Sequence, residues 1–163
     1  MPNVTIVGTT SWGTTLGIIM ARQGTTVRML ARNDDEAERL QMARENARFV
    51  PDVTFPDSMT VTADPNLAFE NSDLVGFVVP SRSLRDNAKK VASFVNTDSI
   101  VVTATKGLEL GSGKRMSQIL EEELGGEMPH GVCALSGPNL AREIVAEMPS
   151  STVIASSDPD AAN

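Results

Sequence analysis

Cysteine is almost missing from this chain. Cys133 is the only one in 163 residues, so no internal disulfide can form and the composition suits a reducing compartment, the cytoplasm. It lies in the apolar run Val132-Cys133-Ala134-Leu135, which predicts a buried, inert thiol rather than a nucleophile. Histidine is as scarce. His130 stands alone in a predicted loop, which excludes a multi-histidine metal site, and no metal is expected. No apolar run reaches the roughly 18–20 residues needed to cross a bilayer. The N-terminus opens on a strand-like run rather than a basic segment followed by an apolar one, so neither a membrane span nor a secretory signal is expected. Positive charge is also short: 14 Lys and Arg stand against 21 Asp and Glu, a net charge of −7. With a pI near 4.7, nucleic acid is not an expected partner, because binding it needs a basic patch.

What remains is ordinary for a soluble globular domain, at 40% hydrophobic and 21% charged. The length fits one domain with a single core of useful size. Short runs rich in β-branched residues alternate with helix-like stretches. The predicted strands are Val4–Val7, Thr26–Leu30, Leu74–Val79, Ile100–Thr103, Val132–Leu135 and Thr152–Ala155, with a further short one within Asp57–Thr62. The predicted helices are Trp12–Gln23, Asp34–Glu45, Ser83–Phe94, Lys114–Leu124 and Leu140–Met148. A short helix runs through Phe69 after Ala63-Asp64-Pro65. Gly24 suits the end of the first helix, and Ser81 or Ser83 can cap the third. Alternating βα units with nearly continuous apolar strands indicate an α/β fold with a doubly wound, mainly parallel sheet, Val4–Val7 central and helices on both faces. The tail from Ser156 reads as a helix start, with Asp158 as cap and Pro159 in the first turn.

Ligands in such sheets bind beyond the carboxyl ends of the strands. At the end of the first strand the turn Gly8-Thr9-Thr10-Ser11-Trp12-Gly13 leads straight into a helix, the layout that receives a pyrophosphate at a helix N-terminus. It departs from the G-x-G-x-x-G pattern at its middle glycine, where Thr10 adds a stiff β-branched side chain expected to crowd the backbone's approach to a pyrophosphate. Val79-Pro80-Ser81 follows another strand. Thr103-Ala104-Thr105-Lys106-Gly107 places a lysine at a third, where it could hold a phosphate, polarise a carbonyl, or simply face solvent. Ser136-Gly137-Pro138-Asn139 forms a small polar edge at a fourth. About 20 residues past the glycines, where an acid would bind the ribose 2′-OH of NAD, the chain has Arg32, which can pair with a 2′-phosphate. That favours NADP, or mixed use, over strict NAD. Gly107–Lys114 resembles a phosphate-binding loop only superficially, since no glycine stands five before Gly113 and Arg115 follows the lysine.

Four motifs in this order and spacing, Gly8-x-x-Ser11-Trp12-Gly13-Thr14, Val79-Pro80-Ser81-x-x-Leu84-Arg85, Thr105-Lys106-Gly107-Leu108-Glu109 and Ser136-Gly137-Pro138-Asn139-Leu140-Ala141-x-Glu143, resemble the bacterial type of NAD(P)-dependent glycerol-3-phosphate dehydrogenase. The resemblance covers only that family's N-terminal cofactor domain. It implies a Rossmann-type fold over residues 1–156 and residues 157–163 as the truncated start of a following helix, with a C-terminal helical substrate domain absent. It implies NADP or NAD as cofactor, contacted by Gly8, Thr10, Ser11, Trp12, Gly13, Arg32, Phe49, Pro80, Lys106 and Ala141, with Phe49 standing where the family often has a tyrosine. Lys106, Gly137 and Asn139 would face glycerol 3-phosphate or dihydroxyacetone phosphate, a step that feeds phospholipid synthesis. The base that takes the hydroxyl proton, a lysine, would lie beyond this chain, so the 163 residues alone are expected to be inactive. The full-length enzyme would be a homodimer. Two other readings stand beside it: a stand-alone dinucleotide-binding module, and a related hydroxy-acid or ketopantoate-type reductase.

Overall fold

Parallel strands buried on both faces need apolar residues at consecutive positions, and β1 (Asn3–Val7) supplies them. Val4 and Ile6 enter one core cluster while Val7 enters the other, as the two-residue repeat of a strand requires. The buried polar residue between them, Thr5, is satisfied through its hydroxyl at Ala68 O (2.6 Å) and Ser72 Oγ (2.9 Å). The computed structural model describes residues 1–125 and 130–162.

The chain continues as α1 (Ser11–Arg22), β2 (Thr26–Leu30), α2 (Asp34–Ala43), β3 (Glu45–Asn46), β4 (Val50–Thr54), β5 (Met59–Thr62), α3 (Pro65–Phe69) and β6 (Leu74–Phe77). Then come α4 (Ser81–Val91) with a short 3-10 turn after it, β7 (Ile100–Thr103), α5 (Met116–Leu124), β8 (Val132–Ser136), α6 (Ala141–Val145) and β9 (Val153–Ala155). Seven strands form one sheet in the order β5-β2-β1-β6-β7-β8-β9. All neighbours are parallel except β8 and β9. The fold is therefore the expected doubly wound one, with β1 inside the sheet and helices on both faces. The chain winds outward from β1 in one direction to β2 and in the other to β6, which opens a crevice above their carboxyl ends. Val27, Met29 and Ile18 fill the core on one side of the sheet, and Phe77, Leu84, Ile119 and Leu120 fill it on the other.

Several local expectations are corrected. The antiparallel pair β3–β4 was not foreseen. Two residues are too few to show a period, and Pro51 and Asp52 interrupt the pattern of β4, which as an edge ribbon tolerates them. Helix α2 accordingly ends at Ala43, where Arg44 adopts a left-handed conformation (φ 51°) and turns the chain into the hairpin. Helix α4 begins at Ser81 without a side-chain cap. Ser83 Oγ instead donates to Pro80 O at 3.0 Å, so neither serine caps it. The sixth helix is one short turn, Ala141–Val145, rather than Leu140–Met148. Residues 157–158 form bends and residues 159–162 a hydrogen-bonded turn. Asp158 Oδ1 accepts from Asp160 N at 3.0 Å, as a cap would, but Ala162 N already bonds Pro159 O (3.3 Å), three residues back. Asn163 lies outside the described residues. Cys133 is fully buried. His130 is half-exposed but not free, because its Nδ1 is 3.2 Å from Asp158 Oδ2, and that contact holds the Asp158 carboxyl below its usual range.

Candidate dinucleotide-binding site

The glycine turn after β1 is too tight for side chains at two positions. Gly8 has φ +112°, and a Cβ there would lie 2.7 Å from both Val78 O and Val79 Cγ1. A Cβ on Gly13 would lie 2.4 Å from Gly8 O, so Gly13 serves close packing beneath the turn rather than lining a cavity. Position 10 is different. Thr10 has an extended backbone (φ −68°, ψ 170°) that any residue can adopt. Its hydroxyl accepts from Gly13 N (3.1 Å) and donates to Val78 O (2.9 Å). The residue expected to crowd the turn is thus the N-cap of α1 and ties it to the neighbouring strand. The amides of Ser11 and Trp12, in the first turn of α1, have no acceptor earlier in the helix. No acidic side chain competes there. The positive end of the helix dipole is free to receive an anion.

Two cavities flank this turn and meet at Thr10, Val79 and Pro80. One, about 350 Å³, is lined by Ser11, Trp12, Lys106, Asn139 and Ala141 among others. The other, about 460 Å³, is lined by Gly8, Arg32, Glu36, Arg48 and Phe49 and by the exposed side of α4. Volumes of this size suit small ligands and cofactors. Of the residues expected to contact a cofactor, only Gly13 lines neither cavity. Gly137 likewise lines neither, but its carbonyl accepts from Lys106 Nζ at 3.0 Å. Trp12 lines the first cavity, and its indole N–H is buried without a partner among the described residues.

Lys106 is set by the loop that follows β7. Thr105 Oγ1 is 2.9 Å from Val79 O and accepts from Val79 N (3.3 Å), so the loop is stitched to the end of β6. Gly107, at φ +106°, turns the chain away. The exposed ammonium is thereby held between the strand ends, against the loop after β8. Asn139 is positioned by Thr152 Oγ1 (3.2 Å) and Ser150 Oγ (3.1 Å). At the far end Arg32 pairs with Glu36 (3.2 Å), which also accepts from Arg32 N (3.2 Å). Its side chain is 70% exposed.

Two supporting residues escaped sequence reasoning. Asn46 on β3 is buried and donates to Thr9 O (3.0 Å) and Thr14 Oγ1 (2.8 Å), bracing the glycine turn from the hairpin. Thr105 is the other. Asn46 carried no local signal, and Thr105 stood in one of the four motifs without its role being readable, because both bond segments distant in sequence. Conversely, Arg85 and Glu109, which stand in two of the four motifs, line neither of these two cavities. Arg85 pairs with Glu109 (2.6 Å), Glu122 (3.0 Å) and Glu123. These bonds push the guanidinium above its usual range, with Glu109 the largest contributor. They hold Glu109 at about 2, chiefly through Arg85. Lys114 and then Arg85 lower Glu122. This is a clasp between α4, the loop after β7 and α5.

The family described as NAD-dependent glycerol-3-phosphate dehydrogenase N-terminus matches residues 3–162. This chain belongs to that family. A glycerol-3-phosphate dehydrogenase [NAD(P)+] of Corynebacterium kroppenstedtii is 40% identical over 162 residues, covering 99% of this chain and 48% of its own length. One from Dehalococcoides mccartyi is 42% identical over 156 residues, covering 95% and 44%. Among solved structures, the glycerol-3-phosphate dehydrogenase of Coxiella burnetii superposes with a TM-score of 0.88 at 28% identity, over 98% of this chain and 48% of that one. This member of the dehydrogenase family therefore spans about half the length of the relatives it matches. Among the described residues, no helix is long and apolar enough to cross a membrane, and no three His, Cys, Asp or Glu side chains gather into a metal site.

Proposed function

We propose that this chain is the dinucleotide-binding portion of an oxidoreductase that uses NAD or NADP to interconvert sn-glycerol 3-phosphate and dihydroxyacetone phosphate. The observation that carries the reading is the shared crevice: Ser11 and Trp12 at the open N-terminus of α1 line one cavity together with Lys106, Asn139 and Ala141. The tight Gly8 cradle and the two unpaired amides of α1 fit a pyrophosphate. In the proposal Gly8, Thr10, Ser11 and Trp12 hold the diphosphate half, with Gly13 packing beneath them. Arg32, Phe49 and Pro80 border the adenosine end, while Lys106 and Ala141 border the nicotinamide end. A bound nicotinamide would supply hydride exchange with the alcohol carbon. The protein binds, orients and provides electrostatics.

Lys106 acts as a fixed positive charge beside the oxygen that gains or loses negative charge. Asn139 and the Gly137 loop orient the substrate. The base for the hydroxyl proton comes from outside these 163 residues, in the half of the relatives that the chain does not span. Residues 1–156 make up the cofactor domain and 157–163 lead onward, in a cytoplasmic enzyme that dimerises at full length. The test combines two titrations. NADH added to this chain should quench Trp12 fluorescence saturably, and glycerol 3-phosphate with NAD(P)+ should give negligible turnover. Absence of saturable quenching, confirmed by calorimetry showing no heat of binding, would overturn the reading.

A further inference from the structure

Cations are in the minority in this protein, yet they gather at the second cavity. Its walls carry Arg32, Arg48, Arg82 and Lys90 against the single acid Glu36, in a chain of net charge −7. Glu36 is already engaged by the Arg32 side chain and amide. Among the described residues Arg48, Arg82 and Lys90 have no ion pair. Helix α4 shows how selective this is. Its cations on the α5 side are neutralised: Arg85 by three glutamates, and Lys89 by Glu123 at 4.0 Å. Those on the cavity side, Arg82 and Lys90, make no ion pair among the described residues, with the exposed Asp86 one helical turn from each as the acid nearest in sequence. The helix also begins at Pro80 with no side-chain cap and no acid in its first turn, so its dipole adds positive potential at the same rim. The Arg48 guanidinium lies 4.9 Å from the centre of the Phe49 ring, and both residues line the same cavity.

A diphosphate at the α1 N-terminus leaves these charges unmatched, since that end offers its own donors. A ribose 2′-hydroxyl wants a free carboxylate, and the one carboxylate here is taken. A 2′-phosphate, carrying about −1.5 to −2 charges near neutrality, satisfies the surplus. We propose that Arg82 and Lys90 of α4, together with Arg48, are cofactor-specificity residues that bind the 2′-phosphate of NADP(H) and make this site prefer it to NAD(H). The inference rests on the dinucleotide reading above.

The test is calorimetric titration of this chain, as wild type and as the Arg82→Ala/Lys90→Ala and Arg48→Gln variants, with NADPH and with NADH. All three side chains are exposed, and circular dichroism checks that each variant is folded. Wild type should bind NADPH at least about tenfold more tightly. The double variant should lose about tenfold in NADPH affinity and less than about twofold in NADH affinity, as expected for removing two charges near a doubly charged group in a partly hydrated site. Arg48→Gln should act in the same direction by about threefold. Equal wild-type affinities, or equal losses for both cofactors, would overturn the specificity role while leaving dinucleotide binding intact. No binding of either cofactor by the wild type would overturn both.

Discussion

Thr10 looked like the wrong residue in a glycine turn and proves to be its fastener. Its hydroxyl bridges Gly13 N and Val78 O. Thr10→Gly should therefore not tighten dinucleotide binding. It should lower stability by about 1–2 kcal/mol, from the lost hydrogen bond and the added freedom of the unfolded backbone; Thr10→Ser should keep most of it. Urea denaturation of the three proteins measures this, and tighter NADH binding by the glycine variant would restore the crowding explanation. The place of Arg32, just past the end of β2, was legible in sequence by counting past the glycines. Its partner was not. The Glu36 pair holds the guanidinium at the cavity edge, so Arg32→Asp should weaken NADPH by about tenfold or more through direct repulsion, and NADH much less. Equal losses in the two titrations would remove Arg32 from the adenosine end.

At the scale of elements, long buried strands and helices announced themselves through composition, whereas short ones did not. The β3–β4 hairpin has no readable period, yet it delivers Asn46 to the floor of the glycine turn. Asn46→Ala would leave Thr9 O and the Thr14 hydroxyl without their donor in a buried place, and should cost about 2–3 kcal/mol together with a measurable loss of NADH affinity. A variant with unaltered stability would show that the hairpin does not brace the site. The clasp joining α4, the Lys106 loop and α5 carries a pH signature. Glu109 is held at about 2, below the ordinary 4.5 of a glutamate. Its stabilisation is therefore complete above about pH 4.5 and is lost as pH falls toward 2. The stability difference between wild type and Glu109→Gln should be largest near neutrality and shrink between pH 4.5 and 3, as read from denaturation midpoints. A difference that stays constant over that range would mean that the Arg85 pair contributes nothing.

For the whole molecule, binding and chemistry are expected to separate. General-base catalysis contributes about 10²–10⁴-fold, and positioning by further protein can contribute more. The 163 residues should thus bind a dinucleotide yet turn over glycerol 3-phosphate negligibly, and a chain extended to the length of its relatives should be active. In that longer protein Lys106→Ala should lower kcat/KM by about 10²-fold or more. Robust turnover by the 163 residues alone, abolished by Lys106→Ala, would show that this division of labour is mistaken.

The residues themselves determined the class of fold and where a candidate site would be sought. Alternating β-branched and helical runs allow little besides a parallel sheet covered on both faces, and its strand ends are where Gly8, Lys106 and Asn139 stand in the chain. Tertiary structure decided the rest, because it depends on contacts between residues far apart in sequence. Where the Thr10 hydroxyl spends its proton depends on Val78, 68 positions away. Whether Arg85 serves chemistry or architecture depends on Glu109, Glu122 and Glu123. Which cations remain free for a ligand depends on how α4 turns its two faces, one to the acids of α5 and one to the cavity. Charge can be counted along a chain, but its compensation is a property of three-dimensional neighbours.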